Sequence, residues 1–291
     1  MSIILCDGVQ LGVDEAGQGT PLLCIHGAWT DRTSWDAVSA GLATHFRVVR
    51  YDRRGYGESQ RPGGPAALHV ADALALLRTL GGEPAILVGN SLGAVIAIEV
   101  ALAAPDLVHT VIAHEPPFLR LLLDDPRLVE LARRRQAGIA RAVNAIRDGD
   151  PALGARIFVE SVTSAPGAWE ALPDPLRDQF LRNAPAFLAE GQSLDNCDPD
   201  LLGMDGLGPR LVLTRGEYSG PYFKAIIEKL VQALPRARSC ILAHTGHVPQ
   251  QSHPREFVAA TLASIRPPRD RSCEPGPEGA PNARPRCASS P

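Results

Sequence analysis

The sequence lacks a Cys-x-x-Cys pair, an extended run of basic residues and an apolar stretch long enough to cross a membrane. Its six cysteines are scattered along the 291 residues, which predicts neither a zinc site nor a disulfide framework. Lysine and arginine (29) nearly balance aspartate and glutamate (32), so neither nucleic acid nor a membrane is expected as a partner. No basic segment precedes the first apolar residues, which argues against a signal peptide and makes a cytoplasmic location the default expectation.

Hydrophobic residues are abundant by contrast, at 45% of the chain, although aromatic residues make up only 5%. This content is sufficient for the core of one large domain. Apolar runs of strand length alternate with helical patterns over residues 1–117 and again over residues 206–266. Such alternation is typical of an α/β fold with a doubly wound, mostly parallel sheet. The two segments are therefore predicted to form one core.

The alternation stops between residues 118 and 205, where only helical patterns separated by prolines occur. We interpret residues 118–205 as a helical cap inserted over the carboxyl edge of the sheet. Residues 267–291 are rich in proline, glycine and charged side chains, and they contain too little apolar surface to form a core. This tail is predicted to be disordered, and no function is assigned to it.

One stretch combines strand, turn and helix signals around a serine. The apolar residues 85–88 predict a short buried strand, and the apolar residues 94–104 predict a helix. Between them, Gly89-Asn90-Ser91-Leu92-Gly93 matches the G-x-S-x-G pattern of a nucleophile elbow. Glycines are needed there because the strand and the helix pass close to each other. A serine at a helix start also places the positive end of the helix dipole near any oxyanion that forms.

Three further motifs lie at the ends of other predicted strands: His26-Gly27, Asp52-x-Arg54-Gly55-x-Gly57-x-Ser59 and Gly246-His247-x-Pro249. In this order and spacing, the four motifs resemble those of the α/β-hydrolase superfamily over residues 1–266. Within it, the chain is most similar to the zearalenone-lactonase group in four short motifs: His114-Glu115-x-Pro117, Ala168-Trp169-x-Ala171, Asn183-x-Pro185 and Ser252-His253-Pro254. The resemblance implies an α/β-hydrolase fold and a serine hydrolase, although a fold does not fix a reaction.

The resemblance also implies a role for each matching residue. Ser91 would be the nucleophile, and His247 would be the general base that activates it. The backbone N–H groups of Leu92 and Ala28 would form the oxyanion hole, with Gly27 as a neighbouring alternative to Ala28. This set implies no metal ion and no organic cofactor.

The acidic member of the triad is where the sequence departs from the common pattern. Many relatives carry an aspartate at the position that Ser219 occupies here. Glu115, at the end of the strand that follows the elbow helix, is the preferred candidate because some relatives use a glutamate at that topological position. Glu217 is the alternative, and His244 is the corresponding alternative to His247 as the base.

Trp29 and Trp169 are candidates for the wall of the substrate pocket, because ligand pockets favour aromatic side chains, but each fits a core position equally well. The leading hypothesis is a serine hydrolase that acts on a small-molecule ester or lactone through an acyl-enzyme. Acyl transfer, carbon–carbon bond hydrolysis and perhydrolysis remain open because they reuse the same residues. A ligand-binding module with vestigial turnover is the alternative from another class. The sequence leaves a homodimer open.

Overall fold

The computed structural model describes residues 1–163, 165–194 and 197–265 of the chain. Its centre is an eight-stranded sheet, with strands β1 (Ser2–Cys6), β2 (Val9–Ala16), β3 (Pro21–Ile25), β4 (Arg47–Tyr51), β5 (Ala85–Asn90), β6 (Val108–His114), β7 (Leu211–Gly216) and β8 (Arg238–Leu242). Their order across the sheet is β1-β2-β4-β3-β5-β6-β7-β8. Strands β3 to β8 run parallel, and β2 joins β1 and β4 in antiparallel pairs. The predicted mostly parallel sheet is confirmed.

Helices cover both faces of this sheet, as expected for a doubly wound fold. They are α1 (Asp36–Ala43), α2 (Ala66–Thr79), α3 (Leu92–Ala103), α4 (Val129–Arg147), α5 (Pro151–Thr163), α6 (Asp174–Leu194), α7 (Leu201–Leu207), α8 (Pro221–Ala233), α9 (Pro249–Ser252) and α10 (Pro254–Ile265). In the described part of the chain, none of them is long and apolar enough to cross a membrane.

The central strands are buried on both faces, which explains their continuous apolar runs. Along β3, Leu23 and Ile25 belong to a large hydrophobic cluster with α2 and α3, whereas Leu22 and Cys24 belong to a second cluster with α1 and α10. This alternation follows from the two-residue period of a strand. Cys24 is buried, whereas Cys240 in β8 is only half-buried.

The chain direction reverses across the sheet between β3 and β5, which are neighbours. After β3 the chain moves outward to β4, and from β5 it proceeds the other way to β6, β7 and β8. In open α/β sheets such a switch point leaves a crevice at the carboxyl ends of the two strands, where ligands bind. The loop after β3 and the serine after β5 therefore lie on the two sides of this crevice.

The described residues between β6 and β7 are helical, in agreement with the sequence pattern. Helices α4, α5 and α6 pack against one another, whereas α7 packs beside α3 on the core. The cap assigned to residues 118–205 and its boundaries stay a prediction. The predicted disordered tail, residues 267–291, lies outside the described residues.

Candidate active site

Ser91 stands between β5 and α3 with a strained backbone. Its φ of 56° and ψ of −123° lie in a region that residues other than glycine rarely adopt. The turn is tight, since a Cβ added at Gly93 would lie 2.0 Å from the Ile25 carbonyl oxygen, and one at Gly89 would lie 2.2 Å from the Gly93 oxygen. Only glycine fits these two positions, so the strand and the helix can approach and present Ser91 at the turn between them.

His247 and Glu115 meet at the carboxyl edge of the sheet. Nδ1 of His247 lies 2.6 Å from Oε2 of Glu115, a fully buried side chain that directly follows β6. The other carboxylate oxygen accepts a hydrogen bond from the Gly216 N–H at 2.8 Å. Since an ionised carboxylate only accepts, Nδ1 carries the proton, and Nε2 of the neutral ring is the basic nitrogen. The ring of Phe223 stacks on His247 at a centroid distance of 4.0 Å and restricts its orientation.

The surroundings of Glu115 keep its carboxyl ionised. Burial alone would raise the pKa of this group, but the neighbouring His114 and the hydrogen bond from His247 lower the pKa to about 2. Burial lowers the pKa of His114 to about 4, so this ring is uncharged at neutral pH. At neutral pH, the hydrogen bonds from His247 and from the Gly216 N–H are therefore the main stabilisation of the carboxylate.

The alternative acid, Glu217, and the alternative base, His244, lie next to each other at the surface. The carboxylate of Glu217 accepts a hydrogen bond from the His244 N–H at 2.8 Å. Nδ1 of His244 lies 3.1 Å from the hydroxyl of Tyr218. The side chains of His244 and Glu217 are 77% and 46% exposed. The structure thus brings Glu115 to His247, and it places Glu217 with His244.

A cavity of about 150 Å³ opens beside Ser91 and His247. Its polar end is formed by the serine, the histidine and the loop after β3. Its remaining wall is mostly apolar and comes from the segment between β6 and β7, with the side chains Phe158, Val159, Val162, Leu172, Leu176 and Phe180. Ser91 and His247 therefore share one cavity with a mostly apolar wall.

The predicted oxyanion donors are the backbone N–H groups of Ala28 and Leu92. The Gly27 carbonyl accepts hydrogen bonds from His26 Nδ1 at 2.8 Å and from Arg53 Nη2 at 2.9 Å, both of which are buried. Because C=O and N–H point in opposite directions in a trans peptide, the Ala28 N–H points away from these donors. Ala28 itself lines the cavity. Leu92 is the first residue of α3, where the backbone N–H groups have no partner within the helix.

The two candidate tryptophans lie one layer behind the cavity wall. Trp29 is fully buried and stacks on Phe187 at 4.3 Å and on Phe180 at 5.5 Å. Trp169 packs edge-on against Phe180 at 5.9 Å. Among the described residues, Phe158 and Phe180 supply the aromatic part of the wall. The sequence analysis left both a wall position and a core position open for the two tryptophans.

Phe158 also separates the main cavity from a smaller one of about 20 Å³. Both cavities touch Ala28, Ser91 and Phe158. The smaller one is completed by Pro117, Leu119, Arg135, Ile139 and Tyr222. Its volume is sufficient for one water molecule. The phenyl ring of Phe158 therefore limits how far a bound group can extend from Ser91 in this direction.

Asn90 is a site residue that the sequence analysis did not assign. Its Nδ2 donates a hydrogen bond to the His247 carbonyl at 2.8 Å. The side chain before Ser91 thus connects the turn after β5 to the loop that carries His247. A polar residue at the end of an otherwise apolar, buried strand was the available signal.

The chain matches the alpha/beta hydrolase family over residues 22–261. It is 29% identical over 263 residues to the pimeloyl-[acyl-carrier protein] methyl ester esterase of Aeromonas salmonicida. This match covers 86% of this chain and 97% of that protein. An uncharacterized hydrolase of Bacillus subtilis is 36% identical over 119 residues, or 40% of this chain and 44% of the relative, less than half of its length. A thermophilic esterase from Thermogutta terrifontis has a similar structure, with a TM-score of 0.72 at 22% identity over 91% of this chain and 98% of that one.

Because the family match spans most of its length, the chain belongs to the alpha/beta hydrolase family. The superfamily resemblance noted in the sequence is thereby confirmed, whereas the likeness to the zearalenone-lactonase group stays a prediction. The similarity to the solved esterase, at 22% identity, extends to the fold alone. Family membership supports a hydrolytic enzyme without specifying the bond that it cleaves.

Proposed function

We propose that the chain is a serine hydrolase that cleaves a small carboxylic ester or lactone through an acyl-enzyme, with Ser91, His247 and Glu115 as its triad. The observation that carries this proposal is the 2.6 Å hydrogen bond between His247 Nδ1 and the Glu115 carboxylate. It orients the imidazole so that Nε2 is basic, in a cavity that Ser91 also lines.

In the first half-reaction, Nε2 of His247 takes the proton of Ser91 Oγ as Oγ attacks the carbonyl carbon of the substrate. The imidazolium that forms is stabilised by Glu115, which stays ionised because its pKa is about 2. The N–H groups of Ala28 and Leu92 stabilise the tetrahedral oxyanion. Collapse of this intermediate breaks the ester C–O bond, and His247 returns the proton to the leaving alkoxide.

In the second half-reaction, His247 takes a proton from a water molecule that attacks the acyl-enzyme carbonyl. The carboxylic acid leaves, and Ser91 recovers its proton. A lactone follows the same two steps, but its alcohol stays attached to the acyl group after the ring opens. One set of residues therefore serves linear and cyclic esters.

The size and polarity of the cavity support a small apolar substrate group. Its volume is about 150 Å³, and aliphatic and phenyl side chains form most of its wall. An engineered apolar cavity of about this volume binds benzene. We therefore propose that the acyl or alcohol portion held there is about as large as one six-membered ring.

The same hydrogen bond favours an enzyme over a binding module. A site with only vestigial turnover would be expected if no acid oriented the histidine. Ser219 raises that question, because it stands where many relatives have the aspartate. Here the buried Glu115 carboxylate lies within hydrogen-bonding distance of His247, so the base has an acidic partner.

Labelling with a fluorophosphonate probe, read by intact mass, tests this proposal. We expect one adduct on the wild-type protein and none on the Ser91→Ala variant. A panel of p-nitrophenyl esters and small lactones then measures turnover, which Ser91→Ala should abolish. A folded wild-type protein that forms no adduct and hydrolyses no member of the panel would contradict the proposed function.

A further inference from the structure

The guanidinium of Arg53 lies directly beneath the loop that follows β3, here called the oxyanion loop (residues 26–28). The side chain is fully buried. Its Nε donates to the His26 carbonyl at 3.1 Å, and its Nη2 donates to the Gly27 carbonyl at 2.9 Å. One rigid, planar group therefore holds two consecutive carbonyls of this loop.

The remaining terminal nitrogen of Arg53 forms an ion pair with Glu190 of α6, which is also fully buried. The second oxygen of Glu190 accepts a hydrogen bond from the Tyr56 hydroxyl at 2.6 Å. Nε2 of His69 lies 2.9 Å from the first oxygen. Burial alone would raise the pKa of Glu190, but the charge of Arg53 and the neighbouring His69 lower the pKa to about 2. The pair is therefore charged throughout the neutral range.

The backbone of Arg53 fixes the same loop from a second direction. Its N–H donates to Nε2 of His26 at 3.0 Å, so this ring nitrogen carries no proton. The proton then resides on Nδ1, which donates to the Gly27 carbonyl at 2.8 Å. Burial lowers the pKa of His26 well below its usual value, in agreement with a neutral ring. Three donors thus converge on the Gly27 oxygen, since the Thr30 hydroxyl also donates to it at 3.3 Å, and Arg53 sets the geometry of the two shorter hydrogen bonds.

Stability alone does not account for this arrangement. A buried ion pair can often be replaced by apolar side chains at little cost in stability, because desolvation offsets much of its Coulomb energy. What apolar side chains cannot supply is a donor to the Gly27 carbonyl. If that carbonyl turned, the Ala28 N–H would turn with it and leave the cavity, because the two groups belong to one peptide plane.

We propose that Arg53, held by Glu190, is a positioning residue that fixes the Gly27–Ala28 peptide with its N–H toward the oxyanion. This inference rests on the proposed serine-hydrolase function. It also connects two parts of the site, since Glu190 lies on the same helix as the wall residues Leu176 and Phe180. Helix α6 therefore contacts the support of the oxyanion loop through Glu190 and contributes to the apolar wall through Leu176 and Phe180.

The test compares four variants by hydrolysis of p-nitrophenyl butyrate and by thermal unfolding. Arg53→Met alone leaves the Glu190 carboxylate buried without its cation, and we expect it to be unstable. The double variant Arg53→Met/Glu190→Gln removes both charges and should recover stability. We still expect its kcat to be lower by about 10²- to 10³-fold with little change in KM, as for the loss of one oxyanion donor.

A matched control comes from the next residue. The guanidinium of Arg54 donates to the Asp72 carboxylate at 2.9 Å, and in the described part of the chain this ion pair does not touch the oxyanion loop. The double variant Arg54→Met/Asp72→Asn makes the same type of change and should keep the wild-type kcat. Arg53→Lys retains the buried cation without the planar fork, so it should fold and still show a reduced kcat.

Recovery of both stability and kcat in Arg53→Met/Glu190→Gln would overturn the inference. If that variant does not fold, a wild-type kcat for Arg53→Lys would overturn it equally. If the wild-type protein hydrolyses no ester and no lactone, it is the proposed function that fails. The orientation of the Gly27–Ala28 peptide in a crystal structure of the double variant then decides the inference, which an unchanged peptide would contradict.

Discussion

Replacing Glu115 by glutamine tests the central hydrogen bond of the site with almost no change in volume. The amide oxygen of the new side chain can still accept from the Gly216 N–H, which now lies 2.8 Å from the carboxylate. The amide nitrogen would then face His247 Nδ1 and donate to it. This donation places the ring proton on Nε2, the nitrogen that has to accept the proton of Ser91. The variant should therefore hold the base in the wrong tautomer.

We expect Glu115→Gln to reduce kcat by about 10⁴, the loss seen when an orienting carboxylate of this kind becomes an amide. That loss corresponds to about 5 kcal/mol of transition-state stabilisation. Hydrolysis of p-nitrophenyl butyrate at pH 7 measures it. The matched control is Glu217→Gln. The Glu217 carboxylate accepts its hydrogen bond from the backbone N–H of the exposed His244 and should be dispensable for turnover.

Glu115→Gln should also change how the free energy of unfolding depends on pH, in a direction that follows from the pKa of Glu115. The folded-state pKa of Glu115 is lowered from 4.5 to about 2, so its ionised form stabilises the fold above pH 4.5, and this contribution is lost as the pH falls toward 2. At 1.36 kcal/mol per pH unit, the contribution is at most about 3 kcal/mol, because the charge of His114, one cause of the lowered pKa, is absent at neutral pH. Denaturant unfolding should show the largest difference between wild type and Glu115→Gln near neutral pH and a smaller one near pH 3. A near-wild-type kcat for Glu115→Gln, with a large loss in Glu217→Gln, would refute the reasoning.

Three further substitutions test how the site is built. Phe158→Ala should join the two cavities and raise the kcat/KM of octanoate esters relative to butyrate esters by about tenfold or more. The substitution should also lower the free energy of unfolding by about 3–5 kcal/mol. An unchanged preference between the two esters would show that this ring does not limit chain length. Gly93→Ala should lower the free energy of unfolding by at least about 4 kcal/mol, because the new Cβ would lie 2.0 Å from a carbonyl oxygen. The control is Gly206→Ala in α7, where a Cβ would have no atom within 4 Å, and its melting temperature should equal that of the wild type. Asn90→Ala removes the 2.8 Å hydrogen bond to the His247 carbonyl and should lower kcat about tenfold; an unchanged kcat would make this tie structural only.

Local patterns in the sequence were sufficient for the elements around the nucleophile. The strand–turn–helix around Ser91 is encoded within about twenty residues, because its glycines, apolar strand and apolar helix are contiguous. The alternation of strands and helices likewise predicted a mostly parallel sheet. Boundaries agreed closely: the strand expected over residues 85–88 is Ala85–Asn90, and the helix expected over residues 94–104 is Leu92–Ala103.

The choice between Glu115 and Glu217 could not be made in the same way. Both residues follow a predicted strand, and both strands end at the same edge of the sheet. The position of Glu115 depends on the register of β6 against β7, where His114 pairs with Thr214 and the Glu115 carboxylate can accept a hydrogen bond from the Gly216 N–H. Strand register depends on contacts between segments about a hundred residues apart, which no local pattern contains.

The pocket wall and the support of the oxyanion loop were also decided by tertiary structure. The sequence showed that aromatic residues occur in the segment between β6 and β7, but the rotation of α5 and α6 on the core determines that Phe158 and Phe180 face the cavity. Trp29, in the loop after β3, is buried against Phe180 and Phe187. The ion pair of Arg53 with Glu190 joins residues 137 positions apart. By itself the sequence determined the turn that carries Ser91, the family and the order of the elements, because these follow from short-range patterns. Which acid, wall and supporting charge meet at Ser91 is decided by packing between distant segments, and only the folded chain brings those together.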